Sequence, residues 1–301
     1  GDVYKRQQYD ELYRLTEAIN PNADDELYTY DLVGNRLTDA GVPGTWSYNY
    51  NNELLGHTDV SFEYDNNGNM TRKIDGSQDV NYIYNIEDRI VRVEDTDSTV
   101  IAAYYYDPFG RRLWKDVGGI RTYFFYSDEG LVGEYDSIGN ETKVYGYAPD
   151  SVWTTNPLFQ KIDGTYYWYQ NDHLGTPNKI IDSSGRTVWS ARYDSFDILQ
   201  ILVGEIENNL RFPGQYHDVE TGLFYNWNRY YDPLSGRYLR TDPLNEKINL
   251  YAYVHGNPLN LKDPEGLCVA QMVGGVIEAG LGFAFGTGTA VTCLLYTSPS
   301  P

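Results

Sequence analysis

Cysteine is nearly missing from this chain of 301 residues: the two present, Cys268 and Cys293, both lie near its end. Two thiols placed there cannot staple the residues before them, so a disulfide scaffold is excluded. Histidine is equally scarce. His57, His173, His217 and His255 are scattered, match no metal-ligand spacing, and no metal or cofactor is expected. Positive charge is short as well, with 23 Lys+Arg against 43 Asp+Glu and a formal net charge of −20. An excess of that sign argues against a nucleic-acid backbone or an anionic membrane surface as partner of this region.

Tyrosine and glycine are what the chain has instead, at 30 and 29 residues, with apolar residues at 41%. That apolar share is too high for a disordered polyanion. Tyrosine packs across pleated sheets and glycine serves turns, so the composition points to an all-β protein of many short strands.

A repeat organises the chain. Tyr30-Asp31-Leu32-Val33-Gly34-Asn35 returns at Tyr64-Asp65-Asn66-Asn67-Gly68-Asn69, at Tyr106-Asp107-Pro108-Phe109-Gly110-Arg111 and at Tyr135-Asp136-Ser137-Ile138-Gly139-Asn140. Weaker copies start at Tyr50 and Tyr84. The spacing is that of a hairpin with its connection, not of a helix pair. Asp bonds its own backbone two residues on, Gly or Asn accepts positive φ, and the flanks alternate as half-buried strands do. One such hairpin cannot bury its face alone, so neighbours are expected to pair into a long curved antiparallel sheet over residues 20 to 210. Tyrosines alternating with polar residues, without continuous aliphatic runs, point to a hollow interior.

Gly1 to Gln7 and Cys293 to Pro301 break with their neighbours and read as translated sequencing adapter, set aside as foreign.

The repeats resemble the YD repeats of the rearrangement-hotspot (RHS) family of bacterial polymorphic toxins, whose relatives include toxin-complex C components, wall-associated contact toxins and animal teneurins. The likeness sharpens at Asp172-His173-Leu174-Gly175-Thr176-Pro177 and from Arg211-Phe212-Pro213-Gly214-Gln215 to Asp263-Pro264-Glu265-Gly266-Leu267. Residues 8–210 then correspond to a partial shell, 211–267 to the RHS-repeat-associated core domain closing it, and 268–292 to the start of a variable toxin. The resemblance implies a hollow β-shell, or cocoon, around a C-terminal toxin, and a core domain that cuts its own chain once.

Carried onto this sequence, that implies an aspartyl autoprotease with Asp242 and Asp263 as catalytic pair and the cut between Leu267 and Cys268. Two carboxylates brought together share a proton, so one can act as base for a water and the other as acid. Arg229 and Arg240 are the candidate supports. The residues alone leave another reading open, in which Asp242-Pro243 and Asp263-Pro264 are plain turns. The segment Leu244-Asn245-Glu246-Lys247 departs from the family by lacking a glycine pair.

The partners implied are the chain's own toxin segment, secretion-system or toxin-complex components and a cognate immunity protein, at a secreted or bacterial cell-surface location. The alternative from another class is a non-catalytic adhesion or carbohydrate-binding repeat protein, its six tryptophans and its tyrosines stacking on sugars. His173 reads as a structural hydrogen-bonder, and Asp24-Asp25-Glu26 and Glu94-Asp95-Thr96-Asp97 as solvated loops. Val269 to Ala290 is small and apolar, interrupted by Glu278, and carries only a weak signal for a spanning helix.

Overall fold

The computed structural model describes residues 6–19, 24–42, 44–76, 79–245, 248–267, 269–273 and 276–279. Among them there is no α-helix, only one short 3-10 turn at Val254–Gly256. Sixteen consecutive strands, from Ser47–Tyr48 to Leu199–Gly204, pair each with the next in one antiparallel sheet. Four more, from Arg6–Tyr9 to Arg36–Asp39, make a separate sheet before it. The expected single sheet is thus interrupted once, between Asp39 and Ser47. Arg6 and Gln7, set aside above, pair with Ile19 and Ala18 in the first hairpin, while residues 293–301 lie outside the described residues.

One turn builds the repeat. In Asp31–Asn35 the Asp31 carboxylate accepts the N–H groups of Val33 and Asn35, and Gly34 N–H bonds the Asp31 carbonyl at 3.2 Å. Gly34 sits at φ +87°, a conformation that costs glycine little. Asp65, Asp107, Asp136 and Asp182 accept the same two N–H groups, at two and four residues on. In Asn49–Glu53 and Asn85–Arg89 the left-handed position falls to Asn52 and Asp88 at φ 64° and 56°. Asp95 makes this turn too, with Asp97 and Thr99.

The tyrosine ahead of the turn has a separate task. Tyr48, Tyr84, Tyr106 and Tyr193 donate their hydroxyls to the carbonyls of Arg36, Met70, Ile90 and Pro177, at 2.6 to 2.9 Å. Each of these carbonyls belongs to the residue directly after an earlier turn: Asp31–Asn35, Asp65–Asn69, Asn85–Arg89 and Asp172–Thr176. Phenylalanine would fill the space but could not donate, which is a physical reason for 30 tyrosines beside 10 phenylalanines.

The turns at one edge of the sheet face inward onto a smaller body. Residues 211–267 form a four-stranded antiparallel sheet (Tyr216–Asp218, Leu223–Asn226, Arg229–Asp232, Arg237–Tyr238) that is almost wholly buried. Tyr251 donates to the Gly68 carbonyl at 2.8 Å, Arg240 to that of Glu87, and Tyr231 to that of Phe196 at 2.7 Å. Buried Arg112 of the large sheet pairs with buried Asp218, and Lys115 reaches Asp218 and Glu220.

The first sheet also meets the far end of the large one. Glu26 accepts the Ser195 N–H at 2.7 Å, and the rings of Tyr28 and Phe196 lie 5.0 Å apart. The repeats therefore wrap once round the core domain, which fills the ring at this end. A cluster running from Trp46 to Trp189 and on to Leu239 is continuous across the two.

Candidate active site

Two turns of the same design place the predicted carboxylates. Asp242 accepts the Leu244 N–H at 3.0 Å, and Asn245 N–H bonds its carbonyl at 3.0 Å. Asn245, at φ 53°, occupies the left-handed position that Gly fills in the repeats. Glu246 and Lys247 lie outside the described residues. Asp263 accepts the N–H of Leu267, four residues on, at 2.9 Å, and Gly266 takes φ 68° between them. Both aspartates thus have the turn role that the residues alone allowed. Unlike the shell turns, they are buried, at 2% and 0% exposure.

Their second oxygens converge. Arg229 Nη2 lies 3.3 Å from Asp242 Oδ2 and 3.1 Å from Asp263 Oδ2, with all three side chains buried. Arg229 also donates from Nε to the Gly266 carbonyl at 2.6 Å and from Nη1 to that of Leu250 at 3.2 Å. Its guanidinium lies 3.6 Å from the Tyr238 ring centroid. One guanidinium so bound can hold two buried carboxylates that would otherwise repel each other and lack compensation.

Of the two candidate arginines, only Arg229 joins the carboxylates. Arg240 spends its donors on the carbonyls of Asn228 and Glu87, and burial pushes its pKa down.

Two contributors went unnoticed in the sequence. Tyr238 donates to Asp263 Oδ2 at 2.9 Å; burial and the Asp263 charge push its pKa far up, so it stays a donor. Asn226 donates to the Asp263 carbonyl at 2.8 Å and to Tyr238 Oη at 2.9 Å. Both lie within the 211–267 stretch, and no local pattern marks either as part of a site. Glu265 sits beside them, its pKa raised by burial and by Asp263.

Glycines fix the closing segment. A Cβ on Gly214 would lie 1.8 Å from the Pro264 carbonyl oxygen, and one on Gly266 2.4 Å from that of Asn226. The Phe212-Pro213-Gly214 turn and the Asp263–Leu267 turn therefore touch backbone to backbone.

Leu267 closes this turn, its N–H on Asp263; Cys268 lies outside the described residues. Beyond it the described chain forms a hairpin, Ala270–Val273 with Val276–Ala279, laid beside Leu261–Lys262. Residues 280–290 lie outside the described residues, and no described helix is long and apolar enough to cross a membrane. His173 bonds the Leu259 carbonyl at 2.9 Å.

Residues 4–259 match the Teneurin YD-shell family. The double-stranded DNA deaminase toxin A of Burkholderia cenocepacia is 31% identical over 89% of this chain and 21% of its own length. The tRNA nuclease WapA of Bacillus subtilis is 32% identical over 86% of this chain and 12% of its own, and toxin protein Tse5 of Pseudomonas aeruginosa 26% over 91% and 26%. The chain thus spans about a quarter or less of these relatives. In fold it is similar to the Photorhabdus luminescens Tc holotoxin pore, with a TM-score of 0.50 and 17% identity over 87% of this chain and 18% of that one.

Proposed function

Because the chain belongs to the YD-shell family of RHS-type polymorphic toxins, we propose that it is the closing end of a secreted toxin shell that cuts its own chain between Leu267 and Cys268. One observation carries this reading. Asp263 holds the N–H of Leu267, the residue before that bond, while its other oxygen shares Arg229 with Asp242.

The reaction is a hydrolysis. One carboxylate takes a proton from a water, whose oxygen attacks the Leu267 carbonyl carbon. The other delivers a proton to the Cys268 nitrogen as the C–N bond breaks, leaving a carboxyl group and an amine. Asp263 is the carboxylate already fixed to the strand to be cut. Arg229, bonded to the Gly266 carbonyl, aligns that strand and keeps the two carboxylates adjacent.

A carrier role fits the relatives. Proteins named for a DNA deaminase and for a tRNA nuclease match this chain over the same broad region. One scaffold beneath two unlike activities is what a shell with an exchangeable cargo requires. The proposed partners are the chain's own C-terminal toxin, a delivery or toxin-complex component and an immunity protein.

Intact mass and denaturing gels of a chain running past residue 267 test this. Asp242→Asn and Asp263→Asn should each abolish the cut while the shell stays folded. An amide keeps the turn bonds but cannot exchange the proton. Asp232→Asn should have a smaller effect, since the Asp232 carboxylate accepts the Leu234 N–H of a turn. The half-time should not depend on protein concentration, as a site acting in cis requires. Both Asn variants still cutting at Leu267 would end the dyad, and a wild-type chain that stays whole would return the protein to the adhesion reading.

A further inference from the structure

We propose that the aromatic cage of the core domain is a docking pocket for residue 269, and that seating Val269 in it positions the Leu267–Cys268 bond. The inference rests on the self-cutting reading above. Val269 is only 8% exposed and packs in one cluster with Phe212, Phe224, Tyr231, Tyr238, Tyr253 and Val254. All six precede the proposed cut, and Val269 follows it. Pocket and occupant therefore stand on opposite sides of the bond.

The cage is held in shape without Val269. Phe212 and Tyr253 stack at 5.8 Å, and Tyr231 meets Tyr253 at 4.9 Å and Tyr238 at 5.9 Å. Tyr231 is fixed by its bond to the Phe196 carbonyl. Tyr238 is a member of the cage and also the donor to Asp263 Oδ2, so one ring joins the pocket to the carboxylates.

The described residues on either side of position 268 are both held. Before it, the Leu267 N–H is bound to Asp263 at 2.9 Å. After it, Val269 is packed in the cage and Ala270 pairs with Lys262 on the neighbouring strand. A single residue separates the two anchors. An amide so restrained needs little further ordering to meet a fixed pair of carboxylates, which is where a positioned site gains its rate. Val269 is accordingly a positioning residue, and the pocket selects an aliphatic side chain there. A polar one would lose its water without gaining a partner.

Cleavage half-times of Val269→Ile, Val269→Thr and Val269→Asp in the full chain, beside thermal unfolding of each, test the pocket. Isoleucine should cut within about threefold of wild type. Threonine, matched in shape but polar, should slow cutting about tenfold, and aspartate about a hundredfold or more. Aspartate cutting at the wild-type rate, or isoleucine as slow as aspartate, would overturn the inference. Should the aspartate variant fail to fold, the ratio of threonine to isoleucine decides in the same sense. If Asp242→Asn and Asp263→Asn block cutting while Val269→Asp does not, only this inference fails; if the Asn variants still cut, the dyad fails instead.

Discussion

A buried arginine carries the site, and its planar fork is what the position demands. Arg229 reaches the Gly266 carbonyl through Nε while Nη2 meets two carboxylates, a spread of donors that a single ammonium cannot reproduce. Arg229→Lys should therefore keep the charge and lose the alignment. The expected outcome is a cut slowed about tenfold or more in a chain that still folds, read by cleavage half-time beside circular dichroism. An unchanged rate would mean that charge alone suffices. Arg112 is a structural counterpart, buried among the rings of Tyr104, Phe124, Tyr216 and Tyr225 and paired with Asp218. Removing it would leave the buried Asp218, at the contact between shell and core domain, with Lys115 alone.

The hairpin is the repeating element, and it is joined to its neighbour by a side chain. Each tyrosine hydroxyl that reaches the carbonyl after an earlier turn ties its hairpin to one before it. Tyr84→Phe and Tyr106→Phe each delete one such bond, to Met70 and Ile90, without changing the ring, and the second also removes the contact with the Tyr230 hydroxyl. Each should cost about 1 kcal/mol, and chemical denaturation would measure it as a lower midpoint at constant slope. No loss at either position would mean that packing alone sets the spacing of the units.

The whole molecule is a wound sheet whose ends must meet, and acid should favour that closure. Asp194 lies at the seam, in the turn that meets Glu26 and Tyr28. Burial pushes its pKa up to about 6; Glu26 adds to this and Arg36 opposes it. Asp197, in the same turn and fully buried, is raised as well. A carboxyl that keeps its proton in the fold but loses it near pH 4 when unfolded stabilises the fold fully below about pH 4. That contribution disappears as pH rises through 6. Asp194→Asn keeps the bonds to the Phe196 and Ile198 N–H groups and removes the titration. Its stability should vary less between pH 4 and 6 and exceed wild type at pH 7 by up to about 3 kcal/mol. Thermal melts across that range would check it, and a variant as pH-sensitive as wild type would exclude Asp194 as the source. Among the described residues Leu199–Gly204 pairs on one side only and exposes Ile201 and Leu202, a surface prone to pair with another strand.

The all-β class, the hairpin unit and its turn were legible in the residues because each depends on neighbours in sequence. An Asp that accepts N–H groups two and four residues on, with Gly or Asn at positive φ between, is complete within five residues. For the same reason the residues alone read Asp242 and Asp263 as turns, and only the family resemblance made them a pair. Their meeting on Arg229 depends on how the core domain folds back on itself, which brings positions 13 and 34 residues from Arg229 into contact with it. The exclusion of Arg240 is a tertiary outcome too, since its donors are taken by carbonyls of Asn228 and of a distant repeat turn. The cage around Val269 draws on residues spread from 212 to 254, and no local pattern marks them. Turn chemistry is local and can be read from sequence; the company of a buried charge is decided by where the chain returns.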